Sequence, residues 1–590
     1  MTNDSPQPVN QRTVRSGDFD IAVFEYGDPT ADTIVLVHGW PDTHHLWDRV
    51  IPLLTERFHV VAYDTRGHGE STRTQRTDDF RLDELARDFY AVIDAVSPDR
   101  PVHVLAHDWG SVQVWEAVCE PQASARVASF TSVSGPNLDH LASWVRDRLA
   151  RPTLRNVWQP MTQLASSAYT FFFMTPGLPR ATFNAIGTEK VWQRAVSIMN
   201  DTPAANVKLG PTFRRDMVDG LLIYRANIVA RMLSPRERRT EVPVQLIVAG
   251  RDVAVRPAGY DDSAKWTDRL WRRDVPAGHW MPFSHPELLA TATTELIDAL
   301  DGAGVSRGLA RAEVGTAQRE FENKLVVVTG AGSGIGRETA LAFARLGAEV
   351  VVSDVNELAA KATAELVASE GGVAHYYSLD VSNEDAVRAH ADLVIAAHGV
   401  PDVLVNNAGV GQAGGFLDTP SEEFDRVLRI NLGGVVNGCR AFGAAMADRG
   451  LGGHIVNLSS MAAYSPQRDM AAYATSKSAV FMFSDCLRAE LADRGISVST
   501  VCPGIVHTNI VATTRISGVS AREEAAAQQK FDKLYERRGY TPDRVAAQIV
   551  KAVRTGRDIV PVTPESWVQY RINRIAPGAV RLAARRMKLV

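Results

Sequence analysis

The chain is short of cysteine, of long apolar runs and of net charge, and each shortage removes a class of protein. Its four cysteines, Cys119, Cys439, Cys486 and Cys502, lie far apart with no C-x-x-C pair, which argues against a disulfide framework or a zinc site and suits a reducing cytoplasm. No His-Glu-x-x-His or comparable ligand spacing occurs, so no metal is assigned. No run of about 18 apolar residues exists to span a bilayer, and the N-terminal MTNDSPQPVNQRT is polar, so neither an integral protein nor a Sec-exported one is expected. A formal net charge of −4 over 590 residues, without a basic stripe interleaved with aromatics, excludes a nucleic-acid partner from the reading.

What is present is βα alternation, begun twice. The length predicts more than one domain, and two cores of roughly 270 to 300 residues fit it. After a lead-in over residues 1–16 read as disordered, apolar runs at Ile21–Glu25, Thr33–Val37, His59–Tyr63 and Val102–Ala106 read as strands, with a helix-period segment at Leu82–Val96. The strand at 102–106 runs into His107-Asp108-Trp109-Gly110 and a further helix. Small residues at Ala106 and Gly110 flank the acid, as a sharp strand-to-helix elbow requires, and such an elbow lifts its apex side chain above the sheet. The apex is aspartate, so a serine esterase lacks its nucleophile here. A carboxylate in that place can attack carbon and form an ester that water must later hydrolyse.

The motifs HGWP (38–41), RGHGES (66–71) and HDWG (107–110) make residues 17–300 resemble an α/β-hydrolase of the epoxide hydrolase type. The resemblance implies a catalytic acid at Asp252 in AGRD and a histidine at His279 in AGHW, each following an apolar strand in the chain order nucleophile, acid, histidine. It implies a helical cap over about 136–240, where aromatic-rich segments such as Ser167–Met174 and Met217–Met232 replace the strand pattern. It also implies cap tyrosines Tyr169 and Tyr224 as donors to the epoxide oxygen, and the backbone N–H groups of Trp40 and Trp109 as oxyanion hole. Haloalkane dehalogenation is the rival chemistry on this scaffold, since it too uses an elbow aspartate beside a tryptophan.

Residues 301–320 are small, polar and without apolar periodicity, and read as a linker. The alternation then resumes over 321–565. The run Leu325–Val328 reads as a parallel strand covered on both faces, and Gly330, Gly334 and Gly336 follow it before a helix expected from Arg337. Glycines there let the backbone approach a pyrophosphate at a helix N-terminus. Further strands are expected at Glu349–Ser353, His375–Leu379, Val403–Val405, His454–Leu458 and Ser497–Val501, giving a doubly wound parallel sheet. TGAGSGIG (329–336), NNAG (406–409), Asn431, Tyr473-x-x-x-Lys477 and Pro503-Gly504 resemble the short-chain dehydrogenases. Tyr473 and Lys477, four apart, share a helix face, where an ammonium beside a phenol stabilises the phenolate. The resemblance implies Ser460, with Ser459 a weaker choice, as the hydroxyl that holds the substrate oxygen, and Asn431 as a relay. It implies Gly330, Gly334, Ile335, Gly336, Asp380, Asn407, Tyr473, Lys477, Pro503 and Thr508 about the cofactor. Asp354 ends the second strand, where a carboxylate accepts the adenosine ribose hydroxyls and repels a 2′-phosphate, so NAD is favoured over NADP.

The fold class expected is therefore α/β twice over, a capped α/β-hydrolase followed by a Rossmann-type domain, similar to actinobacterial fusions of these two families. The implied activity is bifunctional: epoxide to vicinal diol, and NAD-dependent exchange of a secondary alcohol and ketone, on small and lipid-like substrates. One silent domain acting as scaffold is the alternative. Short-chain dehydrogenases pair through helices that here include Tyr473–Leu491, so a homo-oligomer is expected. The tail 566–590 carries Arg571, Arg574, Arg581, Arg585, Arg586 and Lys588 without an acid, among apolar residues, and could rest on an anionic membrane.

Overall fold

The computed structural model describes residues 5–316, 319–508, 510 and 514–584. They divide into two units, Met1–Thr316 and Ala317–Val590, each with its own sheet.

In the first unit the sheet order is β1-β2-β4-β3-β5-β6-β7-β8. Here β1 is Asn10–Ser16, β2 Phe19–Tyr26, β3 Thr33–Val37, β4 His59–Tyr63, β5 Val102–His107, β6 Val127–Val133, β7 Val244–Ala249 and β8 Leu270–Val275. The first two pairings, β1 with β2 and β2 with β4, are antiparallel and the rest parallel. Part of the lead-in expected to be disordered is thus strand β1, hydrogen-bonded along its whole length to β2. Its polar sequence, NQRTVRS, reflects an edge position in which Val14 and Ser16 are buried and the other five side chains are not. The central strands β3 to β7 are buried along almost their whole length because helices cover both faces. Of these helices, α1 (Leu82–Val96) and α2 (Trp109–Val118) pack against one another.

Between β6 and β7 the chain forms helices α3 (Leu138–Ala150), α4 (Leu154–Ser166), α5 (Tyr169–Met174), α6 (Leu178–Ile186), α7 (Glu189–Asn200), α8 (Phe213–Asp219) and α9 (Leu222–Leu233). The helical segment expected from Met217 to Met232 is broken at Gly220, where a Cβ would meet His68 Nε2 and Trp40 Cδ1 at 2.5 Å. A cluster of buried side chains, with Trp40, Phe80, Trp109, Phe213, Met217 and Tyr224, lies under these helices.

The segment expected to be a structureless linker contains helix α11 (Arg307–Ala312), which follows α10 (Pro286–Leu300). Leu309 and Ala312 bury themselves with Trp271 and Leu296. Two apolar residues three apart sufficed for one buried turn, a signal too short for periodicity to register.

The second unit has the parallel order β11-β10-β9-β12-β13-β14-β15. These strands are β9 (Leu325–Thr329), β10 (Glu349–Asp354), β11 (Val373–Ser378), β12 (Val403–Asn406), β13 (Gly453–Leu458), β14 (Ile496–Cys502) and β15 (Ile559–Pro561). Helix α12 (Gly334–Arg345) begins three residues earlier than expected. Three-residue β15, ending on proline, had escaped notice. Helix α13 (Ala471–Leu491) carries the Tyr-x-x-x-Lys pair, and α14 (Pro564–Ile575) and α15 (Pro577–Ala584) make up the described tail. Ser566 ties α14 to the sheet by donating to the Cys502 carbonyl at 2.6 Å. Arg571 and Arg574 lie over the rings of Trp567 and Tyr570. Arg585, Arg586 and Lys588 lie outside the described residues.

Candidate active sites

Strand β5 delivers Asp108 to a turn with φ +51° and ψ −127°, a backbone region that an L residue occupies only where its surroundings enforce it. Those surroundings are close. A Cβ on Gly110 would stand 2.4 Å from the carbonyl oxygens of both Val37 and His38, so α2 starts against β3 only because residue 110 has no side chain. Asp108 Oδ2 accepts the Trp40 backbone N–H at 3.0 Å. A Cβ on Gly39 would strike that same oxygen at 2.4 Å and the Trp109 nitrogen at 2.6 Å, so Gly39 keeps open the space between the two tryptophan amides and the carboxylate.

His279, on the turn after β8, lies with Nε2 3.5 Å from Asp108 Oδ1 and Nδ1 2.9 Å from Asp252 Oδ2. Asp252 Oδ1 accepts backbone N–H groups from Ala254 (2.7 Å) and Val255 (3.0 Å), which fixes the acid behind the imidazole. Burial opposes a charge on His279, but the carboxylates of Asp252 and Asp108 outweigh it and raise its pKa to about 10. Burial would likewise raise Asp252, and the imidazolium instead holds it below its ordinary value.

The two phenols come from the cap. Tyr224 on α9 is buried, its ring 5.0 Å from that of Trp109 and 5.6 Å from that of Trp40. Tyr169, first residue of α5, stands with its ring 6.3 Å from that of Tyr224 while 36% of its surface stays exposed. Burial raises both phenols above their ordinary range, and the charge of Asp108 adds to the shift. Both therefore remain O–H donors at neutral pH. All seven residues expected in this site, Trp40, Asp108, Trp109, Tyr169, Tyr224, Asp252 and His279, are brought together.

Two neighbours were not foreseen. Asp42 accepts the indole N–H of Trp280 at 3.1 Å, its other oxygen is buried without a hydrogen bond, and burial raises its pKa to about 7. Its place two residues after Trp40 was visible, but not that it folds back beneath His279's neighbour. Asn200, last residue of α7, accepts the Trp280 backbone N–H at 2.7 Å and so ties the cap to the histidine turn. No pattern in the letters announces that contact.

In the second unit the C-terminal ends of the parallel strands surround a cavity of about 690 Å³. Gly330, Gly334, Ile335, Asp354, Asp380, Asn407, Ser460, Tyr473, Lys477, Pro503 and Thr508 all line it. Gly330 has φ +62°, and a Cβ there would come within 2.6 Å of Ala408 Cα, so the turn needs glycine on both counts. Asn407 clamps this turn by donating to the carbonyls of Thr329 and Gly330 at 3.0 and 2.9 Å. Gly336 stands behind the lining, where any side chain would strike the Gly330 carbonyl. Asp354 ends β10 and accepts N–H groups from Gly332 and Asn356, both at 2.9 Å, while Asn356 rather than Asp354 caps the following helix. A glycine turn opening onto a helix N-terminus, with a carboxylate one strand away, fits a dinucleotide.

Lys477 is buried on α13 with Nζ 5.9 Å from the centre of the Tyr473 ring, donating to the Leu458 carbonyl at 2.9 Å. Burial lowers its pKa to about 8, so the ammonium persists at neutral pH. Ser459 spends its hydroxyl proton on the Lys477 carbonyl at 2.8 Å, whereas Ser460 Oγ accepts the Ala462 N–H at 3.2 Å and donates only at a long 3.5 Å to the Pro503 carbonyl, so its proton is the freer of the two. Asn431 is not part of the lining. Its carboxamide is taken up by both backbone groups of Val410 and by Ser476 Oγ, at 2.8 to 3.0 Å, in a π-helical turn beside Lys477. At the opposite end of the strands, Glu349, His375 and His398 bring ligand atoms within 4.8 Å of one another, a cluster that spacing rules could not detect because its members come from three elements.

These two sites define a pair of enzyme domains on one chain, an α/β-hydrolase and a short-chain dehydrogenase. The model of the alpha/beta hydrolase fold matches residues 32–286, and that of the short chain dehydrogenase matches 324–517. Over 577 residues, 96% of each chain, the sequence is 50% identical to "Probable oxidoreductase EphD" of Mycobacterium tuberculosis (strain ATCC 25618 / H37Rv). The chain belongs to this family of hydrolase–dehydrogenase fusions. Its second half is 34% identical over 277 residues to "Dehydrogenase/reductase SDR family member 7B" of Bos taurus, covering 45% of this chain and 82% of that one. A solved short chain dehydrogenase/reductase from Burkholderia phymatum in complex with NAD is similar at 30% identity and a TM-score of 0.42, covering 44% of this chain and 96% of that one. Family and fold together assign the second domain a nicotinamide cofactor.

Proposed function

We propose that the first domain hydrolyses an epoxide through an ester on Asp108. The observation that carries this reading is one acid at the elbow, set between a paired imidazole and two protonated phenols. The carboxylate attacks a ring carbon, the C–O bond breaks, and the departing oxygen takes a proton from Tyr169 or Tyr224. His279 then removes a proton from water, the resulting hydroxide adds to the ester carbon, and the N–H groups of Trp40 and Trp109 receive the oxyanion until the diol leaves. Ester formation cancels the charge of Asp108, one of the two carboxylates that hold the imidazole's proton, so the imidazolium passes that proton to the tyrosinate left by ring opening, which restores the phenol and frees the imidazole as base for the second step. Dehalogenation is less favoured, since the Trp40 indole N–H is spent on the Met217 carbonyl at 3.0 Å and is not free for a halide. Incubation of His279→Gln with styrene oxide or an epoxy fatty acid should leave an adduct on the Asp108 peptide by mass spectrometry. An adduct absent there, or turnover that survives Asp108→Asn, refutes the reading.

For the second domain we propose oxidation and reduction of a secondary alcohol and ketone with NAD, the cofactor accepting or returning the hydride. Tyr473 exchanges the hydroxyl proton, Ser460 holds the oxygen and Lys477 supplies the positive charge beside the phenol. The free lone pairs of Asp354 support NAD over NADP, because a 2′-phosphate there would meet a carboxylate. Asp354→Ser should raise the KM for NAD about tenfold or more, the loss of one charge-assisted hydrogen bond or two, while improving the ratio for NADP. A lipid-like diol or alcohol substrate and pairing through α13 belong to the same proposal.

A further inference from the structure

Helix α4 of the cap is amphipathic in the inverted sense. Leu154, Val157, Trp158, Met161 and Leu164 recur at three- and four-residue intervals, and all five side chains are exposed, Leu154 at 95% and Trp158 at 70%. At helical spacing they occupy an arc of about 120°. The opposite, polar side faces the protein. Buried Gln163 donates to the Ala254 carbonyl (3.0 Å) and Ser167 Oγ (2.9 Å) and accepts the Arg256 N–H (2.8 Å). Ser166 Oγ accepts from Arg256 Nε at 2.5 Å. Hydrogen bonds therefore hold the helix to the domain while its apolar stripe points outward, the reverse of what water favours.

Charge identifies the occupant. From Arg148 to Thr188 the sequence contains Arg148, Arg151, Arg155 and Arg180 and no Asp or Glu. Arg148 pairs with Asp261 and Asp262, while Arg151 and Arg155 are exposed at the start of the stripe. An apolar face with a tryptophan, on a helix that holds no acid and begins beside exposed Arg151 and Arg155, has the composition of a helix lying in the interface of an anionic bilayer. We propose that α4 docks the hydrolase domain on an anionic phospholipid membrane. Tyr169 begins the next helix three residues beyond Ser166, so docking would set the cap, with one of its site phenols, against the lipid. The proposal stands apart from the epoxide reading, because vesicle binding requires no turnover.

The test is sedimentation of the full-length protein with phosphatidylcholine vesicles, with and without about 30% phosphatidylglycerol. Binding is expected to the anionic vesicles, to weaken with salt, and to fall about tenfold or more in a Leu154→Ser/Trp158→Ser/Met161→Ser variant. An Arg151→Glu/Arg155→Glu variant, which leaves the stripe intact, should also lose it, with circular dichroism unchanged in both. Charge reversal in the tail (Arg581→Glu/Arg585→Glu/Arg586→Glu) should leave most of the binding. No sedimentation, sedimentation indifferent to the cap variants, or loss only with the tail variant overturns the proposal. So does a dimer, seen by light scattering, that the triple serine variant dissolves while vesicles bind neither form.

Discussion

At the scale of single residues, the first site turns on how much negative charge surrounds one imidazole. His279 carries a folded-state pKa raised from 6.5 to about 10, so its proton stabilises the native state fully below pH 6.5 and that contribution disappears as pH rises through about 10. His279→Gln should therefore lower the unfolding midpoint of the first domain at pH 6.5 and lose that difference by pH 10 in a thermal titration. A constant gap across that window would mean that His279 is not charged in the resting enzyme. Asp42 gives a second handle. Its carboxyl, raised to about 7 by burial, sits under Trp280, and Asp42→Asn should remove an inflection near pH 7 from the pH–rate profile while leaving KM little changed. Of these residues Asp108 was legible from the small residues that flank it at a strand-to-helix elbow, and Asp252 and His279 through the resemblance carried by AGRD and AGHW. Asp42 and Asn200 were not, because what matters in them is a contact with Trp280 across more than 70 positions of chain.

At the scale of elements, legibility followed burial on both faces. Strands such as Leu325–Thr329 are continuous apolar runs that read the same in any context, and most were found within a residue or two; the central strand Val127–Val133 was not, because Ser129, Thr131 and Ser132 interrupt its apolar run. Elements stabilised from one side, or by few residues, were missed: edge strand β1, three-residue β15 and one-and-a-half-turn α11. Helix α4 was concealed differently, because periodicity reveals an apolar face and is silent about which way it points. Helix α11 has a measurable consequence. Leu309 is fully buried against Trp271 and Leu296, and Leu309→Ala should cost about 2 to 5 kcal/mol of first-domain stability. A hydrolase fragment ending at residue 300 should melt below one ending at 316. Equal melting of the two would return residues 301–316 to the role of a passive link.

At the scale of the whole molecule, each unit closes its own sheet around its own buried clusters, with Phe130 and Trp115 in one and Phe343 and Val405 in the other. Two cores that each satisfy their own strands should melt as two transitions, and a ligand specific to one should move only one. NAD at about a hundred times its dissociation constant contributes about 2.7 kcal/mol, which for a domain of this size is a rise of roughly 5 to 10 °C. Calorimetry of the full chain should show that rise in one transition, with the other fixed. Leu309→Ala should displace the transition that NAD leaves alone. Were both transitions to climb together with NAD, the two cores would be energetically one unit, and Asp108→Asn and Tyr473→Phe could no longer be read as separate probes of two reactions.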